Sequence, residues 1–265
     1  MFNLIIILLS TVNSEPIDSN NYKIAKFLLN NITNLEKCTI CGLAKKCYVS
    51  VSSISRFCRD IGLEDFNELR CQIAKYSEAS SHAKQKFYFS GIESEDITAV
   101  YINEVIANLE RVKNSIKAEE IEELVHDIYN FKKVSAFGYL QSQHVALNLQ
   151  TDLFTNNKFV NTAMRFADQV DYINNADDED LIIILSESGS YFKRAYEDRN
   201  PFRRKNKPKI YLITSNPKVK ELPYVDKVIM YESGNDYSSH PYPLSVIVSL
   251  ICISYSKFLA RNLSI

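Results

Sequence analysis

The 265-residue sequence has no surplus of either charge, 31 lysines and arginines standing against 32 aspartates and glutamates for a formal net charge of −1. That balance excludes a protein held to nucleic acid or membrane by its overall charge, so any such contact has to be local. There is no internal repeat or low-complexity segment, which excludes a solenoid and a wholly disordered chain. The six cysteines lack a zinc ligand set. Cys38, Cys41 and Cys47 give a C-x-x-C and a third thiol, with no second C-x-x-C or close histidine pair to complete four ligands. Cys41, Cys47 and Cys58 read instead as small apolar residues packed between helices, and unpaired thiols fit a reducing cytoplasm. No metal or other cofactor is expected. The apolar run Phe2–Leu9 has no lysine or arginine before it and is too short to span a bilayer. It reads as a first helix over Asn3–Ser10, and no membrane partner is expected.

What is present is organised around Ile40–Leu69. Ile40, Leu43 and Ala44 share one helix face, Ser50 offers an N-cap oxygen, and a second helix places Ile54, Phe57 and Ile61 inward. Val51, Ser52, Ser55 and Arg59 then face outward, with Arg56 at the margin, and Gly62 stands where a C-cap glycine belongs. A hairpin with small hydroxyl residues and arginine on its exposed half suits a helix-turn-helix reading DNA, and its apolar spacing suits a plain packing hairpin equally. Between Asn21 and Ser80 nine basic residues meet six acidic ones, so this region is mildly basic. With a helix over Ile17–Asn30 and another over Phe66–Tyr76 it makes an all-helical domain over residues 1–80. The serine-bearing stretch Glu78–Ser90 reads as a linker.

Residues 81–117 are linker and connecting helix, with an amphipathic beat through Val100, Ile102, Val105, Ile106 and Leu109. Residues 118–265 change character. Helices over Ala118–Asn130, Gln143–Phe154 and Leu244–Leu259 alternate with apolar runs Val134–Phe137, Leu181–Leu185, Ile210–Thr214 and Lys227–Tyr231, which predicts a parallel sheet flanked by helices. Ligands of such sheets bind at the carboxyl ends of strands. Two loops leave such ends: Gly138-Tyr139-Leu140-Gln141-Ser142, and Ser186-Glu187-Ser188-Gly189-Ser190 running into a helix near Tyr191. Hydroxyls and backbone N–H groups at a glycine-bearing turn suit an anion, and they equally suit a turn that merely caps the helix. Eight basic residues against two acidic ones over Lys193–Lys209 read as a solvated loop, or as a contact to an anion. Asp177, Asp178, Glu179 and Asp180 read as a turn, because consecutive carboxylates do not converge on one ion.

Val49-Ser50, Ser53, Arg56-Phe57-Cys58-Arg59, Ile61-Gly62-Leu63, Phe66 and Leu69-Arg70 resemble the N-terminal domain of the RpiR/MurR family of bacterial transcription regulators. Gly138 and Ser142, then Ser186, Ser188 and Gly189, resemble the two phosphosugar loops of the sugar isomerase (SIS) domain that follows in that family, over about Lys132–Tyr231. Leu140 departs from the family where its second loop glycine is expected. Tyr191 departs where a phosphate-contacting threonine is expected, with Ser190 one residue early as a substitute.

The resemblance implies a cytoplasmic regulator of sugar-metabolism genes. Ser50, Val51, Ser52, Ser53, Ser55 and Arg56 would contact a double-stranded operator, and Gly138, Ser142, Ser186, Ser188, Gly189 and Ser190 would hold a sugar phosphate effector. One recognition helix covers too little sequence to specify a genomic site, so a homodimer or homotetramer is implied, assembled through Ile97–Leu109 and Leu244–Leu259. Two alternatives stand beside it. One is a DNA-binding protein whose SIS domain binds no ligand and serves for oligomerisation. The other is a phosphosugar isomerase, for which Glu187, His144 and His240 are the available bases.

Overall fold

The computed structural model describes residues 4–35, 38–80, 95–196, 206–219, 222–234 and 241–262. The chain divides into two compact units.

The first unit is built from α1 (Leu4–Ser14), α2 (Asn20–Asn31), α3 (Ile40–Lys46), α4 (Val51–Asp60) and α5 (Phe66–Ser80). Three of these helices start on side-chain caps. Ser19 accepts from the Tyr22 N–H at 3.0 Å, Thr39 from Gly42 at 3.1 Å and Ser50 from Ser53 at 3.1 Å, each satisfying a donor the helix itself leaves open. The Ser19 cap moves the start of α2 past Ile17, which is exposed rather than on a helix face. Leu8, Ile24, Leu28, Leu43, Ile54, Phe57 and Leu69 meet in one apolar core. Cys47 and Cys58 join it, but Cys41 is exposed. In a seven-residue α3 that turns Leu43 and Ala44 inward, position 41 lies off the buried face. Helix α5 runs to Ser80, into the stretch expected to be linker, and the rest of that linker from residue 81 to 94 lies outside the described residues.

The second unit orders α6 (Ile97–Ser115), α7 (Ala118–Asn130), β1 (Lys133–Gly138), α8 (Gln141–Phe154), the part of α9 (Phe166–Asn175) from Asp171 on, β2 (Asp180–Leu185), α10 (Tyr191–Tyr196), β3 (Lys209–Thr214), β4 (Lys227–Met230) and α11 (Tyr242–Asn262). The four strands form one parallel sheet in sequence order. Asn161 adds a one-residue bridge outside β1, accepting from Ala136 N–H at 2.9 Å and donating to Val134 carbonyl at 2.8 Å. Strand β2 is buried at every position, as a run of leucine and isoleucine covered on both faces must be. One face, with Ala136, Ile183 and Ile213, packs on Leu124, Leu149 and Ile251 from α7, α8 and α11. On the other, Tyr172 of α9 meets Phe137 edge-on, ring centroids 5.5 Å apart.

Three features depart from expectation. Helix α9 has no counterpart in the periodicity reading. The β3–β4 connection holds turns and no helix among its described residues. On α6, Ile102 and Ile106 are half exposed, and the buried residues are Val112 and Asn108, whose Oδ1 accepts from Gly234 N–H and from Arg111, both at 2.7 Å. Helix α11 is long and apolar enough to cross a membrane by length and composition, yet Leu244, Ile247, Val248, Ile251 and Tyr255 are buried in the core of this unit. Asp177–Asp180 is a turn, closed by the Asp180 N–H on the Asp177 carbonyl at 3.1 Å and faced by Lys133.

Candidate functional sites: the α3–α4 surface and the strand-end loops

Helix α4 meets the solvent on one side only. Ile54, Phe57 and Cys58 anchor it, leaving Ser50, Val51, Ser52, Arg56 and Arg59 exposed. The hydroxyl of Ser50 is shared, 2.8 Å from that of Ser52 and 2.9 Å from that of Ser53. Ser53 is half-buried and also takes the Asn20 amide at 3.3 Å, while Ser55 donates to the Val51 carbonyl at 3.4 Å. Of the six residues named for DNA contact, then, Ser50, Val51, Ser52 and Arg56 stand at the surface, and Ser53 and Ser55 are half-buried with partners inside the fold. Arg56 is exposed rather than marginal. Three further residues share this end of the hairpin: Lys45 and Lys46 in the last turn of α3, and Tyr48 in the turn, all exposed. Lysines in a last turn are an ordinary response to the helix dipole, which hides any second role from sequence patterning.

In the second unit, Gly138 pairs with Leu185 across β1 and β2, so the two candidate loops leave neighbouring strands at the same edge. Gly138 is dictated by packing. A Cβ there would lie 2.6 Å from the Ser142 carbonyl carbon, because the first turn of α8 folds directly over the strand end. Its N–H is taken by the Gln143 side-chain oxygen at 3.1 Å; Gln143 in turn donates to Thr162 at 2.7 Å, and Thr162 to the Ala136 carbonyl at 2.7 Å. Ser142 is buried. Leu140 has φ 47° and ψ −109°, a backbone conformation that suits glycine and strains leucine. The loop thus keeps the shape of the expected glycine without the residue.

The loop Ser186–Ser190 is held by the strand ends beside it. The Glu187 carbonyl accepts from the Thr214 hydroxyl at 2.9 Å and the Ser215 hydroxyl at 3.2 Å, and Asn216 donates to the Ser188 carbonyl at 2.8 Å. The Ser233 hydroxyl donates to the Glu187 carboxylate at 3.0 Å. Thr214, Ser215, Asn216 and Ser233 went unmarked in the sequence because no strand-end motif announces them. Gly189 sits at φ 66°, and Val219 Cγ2 occupies the space a side chain would need, 2.1 Å from its Cβ position. The Ser188 and Ser190 hydroxyls lie 2.7 Å apart. Tyr191 is 2% exposed and packs edge-on to Phe192 at 5.5 Å, so its hydroxyl cannot do a threonine's work at the loop surface. Burial, with Glu187 nearby, pushes the Tyr231 hydroxyl well above the usual tyrosine range. His144 is exposed at the start of α8; His240 and the basic stretch from residue 197 to 205 lie outside the described residues.

A family model described as the helix-turn-helix domain of the rpiR family matches residues 9–80, from the middle of α1 to the end of α5. The HTH-type transcriptional regulator TTE0211 of Caldanaerobacter subterraneus subsp. tengcongensis is 36% identical over 138 residues, 50% of this chain and 47% of that protein. The HTH-type transcriptional regulator HexR of Pseudomonas aeruginosa is 26% identical over 179 residues, 66% of this chain and 61% of that protein. The matched regions thus span about half to three fifths of these relatives. Among solved structures, the Vibrio vulnificus NanR protein complexed with ManNAc-6P aligns with a TM-score of 0.50 at 17% identity, over 98% of this chain and 93% of that one. The sugar isomerase domain of an RpiR transcription factor from Sphaerobacter thermophilus aligns with a TM-score of 0.50 at 18% identity, over 62% of this chain and 92% of that domain. At those identities the likeness concerns the fold: a parallel four-stranded sheet flanked by helices.

Proposed function

We propose that this chain, whose residues 9–80 match the helix-turn-helix domain of the rpiR family, is a cytoplasmic DNA-binding regulator of sugar-metabolism genes, controlled by a sugar phosphate. Residues 1–80 read the operator, 81–117 connect, and 118–265 sense the effector. The observation that carries the reading is the coincidence of the family match with a helix α4 whose exposed side holds Ser50, Val51, Ser52 and Arg56. Ser53 and Ser55 support that face from beneath. Gly138, Ser142, Ser186, Ser188, Gly189 and Ser190 frame the effector loops. The NanR neighbour was solved with ManNAc-6P, which makes phosphorylated amino sugars the first class to try. Regulation without catalysis is supported by the relatives, which are named as transcription regulators. Self-association as a homodimer or homotetramer is supported by apolar groups left exposed on two helices in contact: Ile97, Ile102 and Ile106 on α6, and Val246, Leu250 and Ile253 at i, i+4, i+7 on α11.

A second reading, a DNA-binding protein whose sheet domain serves for assembly alone, is favoured by the burial of Tyr191 and by Val219 lying over Gly189. Thermal-shift measurements on the full chain against a panel of hexose, pentose and amino-sugar phosphates separate the two. A ligand at a hundred times its Kd stabilises the fold by about 2.7 kcal/mol. A specific shift that also changes affinity for selected duplex DNA is expected. DNA binding that persists unchanged across a silent panel overturns the effector-controlled reading in favour of the second.

A further inference from the structure

Tyr48 occupies the turn between α3 and α4 under conditions that no packing role explains. It is 94% exposed, so its ring contributes almost nothing to the core. Its backbone lies at φ 56°, the left-handed region where a Cβ crowds the following carbonyl. The turn is a closed helix end: Val49 N–H donates to the Ala44 carbonyl at 3.0 Å and Tyr48 N–H to Lys45 at 3.2 Å. One helix later the same closure recurs. Leu63 N–H donates to Cys58 at 2.8 Å and Gly62 N–H to Arg59 at 3.0 Å, with glycine at φ 84° in the equivalent place. Glycine is the residue this geometry favours. The chain uses it at the end of α4 and places a large, solvent-facing aromatic at the end of α3.

The surroundings point to an anionic occupant. Lys45 and Lys46 are exposed just before the turn, and the exposed Ser50, Val51, Ser52 and Arg56 follow it. A phenol hydroxyl donates readily to a phosphate oxygen, and its ring covers the adjoining sugar. Such contacts position a recognition helix without reading bases. We propose that Tyr48 is a DNA-backbone contact: its hydroxyl donates to a phosphodiester oxygen beside the stretch of groove entered by α4, and its strained backbone is the cost of placing a ring there. This rests on the assignment of α4 as the recognition helix.

The test uses the full chain and 30-bp duplexes enriched by the wild-type protein from a random-sequence pool, with Tyr48→Gly, Tyr48→Phe and Arg56→Ala compared in melting temperature and in binding. Tyr48→Gly is expected to melt at or above the wild-type temperature yet to bind every enriched duplex about tenfold more weakly or worse, with base preference retained. Tyr48→Phe, which keeps the ring, should lose part of that. Wild-type affinity in Tyr48→Gly, with binding lost in Arg56→Ala, overturns the proposal and leaves the recognition helix standing. A changed base preference in Tyr48→Gly overturns the backbone assignment. If the folded protein enriches no duplex, or if neither variant weakens binding, the recognition-helix reading falls and the proposal with it.

Discussion

Replacing Gly138 with alanine tests whether the β1–α8 turn is shaped by steric fit. The added carbon would lie 2.6 Å from Ser142 C, 2.7 Å from its O and 2.8 Å from its Cβ. Two of these three atoms are backbone, in a residue whose N–H already donates to the Tyr139 carbonyl at 3.1 Å, so relief requires the first turn of α8 to move as a unit. Overpacking a close-fitted core costs about 1–3 kcal/mol, and a backbone clash belongs at the upper end. For a unit of this size each kcal/mol is worth about 2–4 °C, giving a fall of roughly 6–12 °C in melting temperature by calorimetry on the full chain. Gly62→Ala is the comparator. Nothing lies within 4 Å of its Cβ position, and only its φ of 84° opposes a side chain, so it should lose about 1–2 kcal/mol through backbone strain alone. A Gly138→Ala protein within about 0.5 kcal/mol of wild type, inside the range of an unremarkable surface change, would refute the steric account.

Gly189→Ala should destabilise through both a clash with Val219 and its φ of 66°. Adding Val219→Ala should recover the clash and leave the strain, a coupling of about 0.5–3 kcal/mol in a double-mutant cycle by urea denaturation; strict additivity would show that the valine yields freely. Iodoacetamide at pH 8 should modify Cys41 and Cys71 rapidly, and Cys47, Cys58 and Cys252 only after unfolding, as mapped by mass spectrometry. Burial pushes the Cys47 and Cys58 thiols up to about 11 and Cys252 up to about 12 from an ordinary 9.0. Above about pH 9 the unfolded chain therefore binds fewer protons than the folded one, and stability should fall as pH rises toward 11. Urea midpoints that stay level across that window would contradict the burial of these thiols.

The parallel sheet was legible because its strands are buried on both faces: Leu181–Leu185 admits no amphipathic reading, and its neighbours repeat the theme between turns. The hairpin was legible for a different reason, that Ser50 and Gly62 mark both ends of α4. Helix α9 was less legible, because its stripe of Phe166, Val170 and Ile173 is short and shares the buried face with Gln169, and Tyr172 meets Phe137 only in the folded chain. On α6 the apolar beat misled: Ile102 and Ile106 face outward, while Asn108 is buried because Gly234 from a distant loop and Arg111 one turn on in the same helix satisfy it. At the strand-end loops the sequence marked Gly138 and Gly189 but not their reasons, since the atoms that exclude a side chain, Ser142 backbone and Val219, become neighbours only in the folded chain. The conformation of Leu140 was hidden for the same cause: a residue type reports what is usual, and the surrounding turn can impose what is not.

The bridge at Asn161 has a bearing on how copies of the chain can meet. A sheet with open edges invites strand-to-strand growth, the route by which β-proteins associate without control. Here the outer side of β1 is taken by Asn161, and β4, at the other side, is four residues long and begins with an exposed lysine, Lys227. A ladder built on either side would be short or blocked. The self-association proposed above would therefore fall to helical surfaces, which pair through side chains in defined registers and come apart without unravelling the fold.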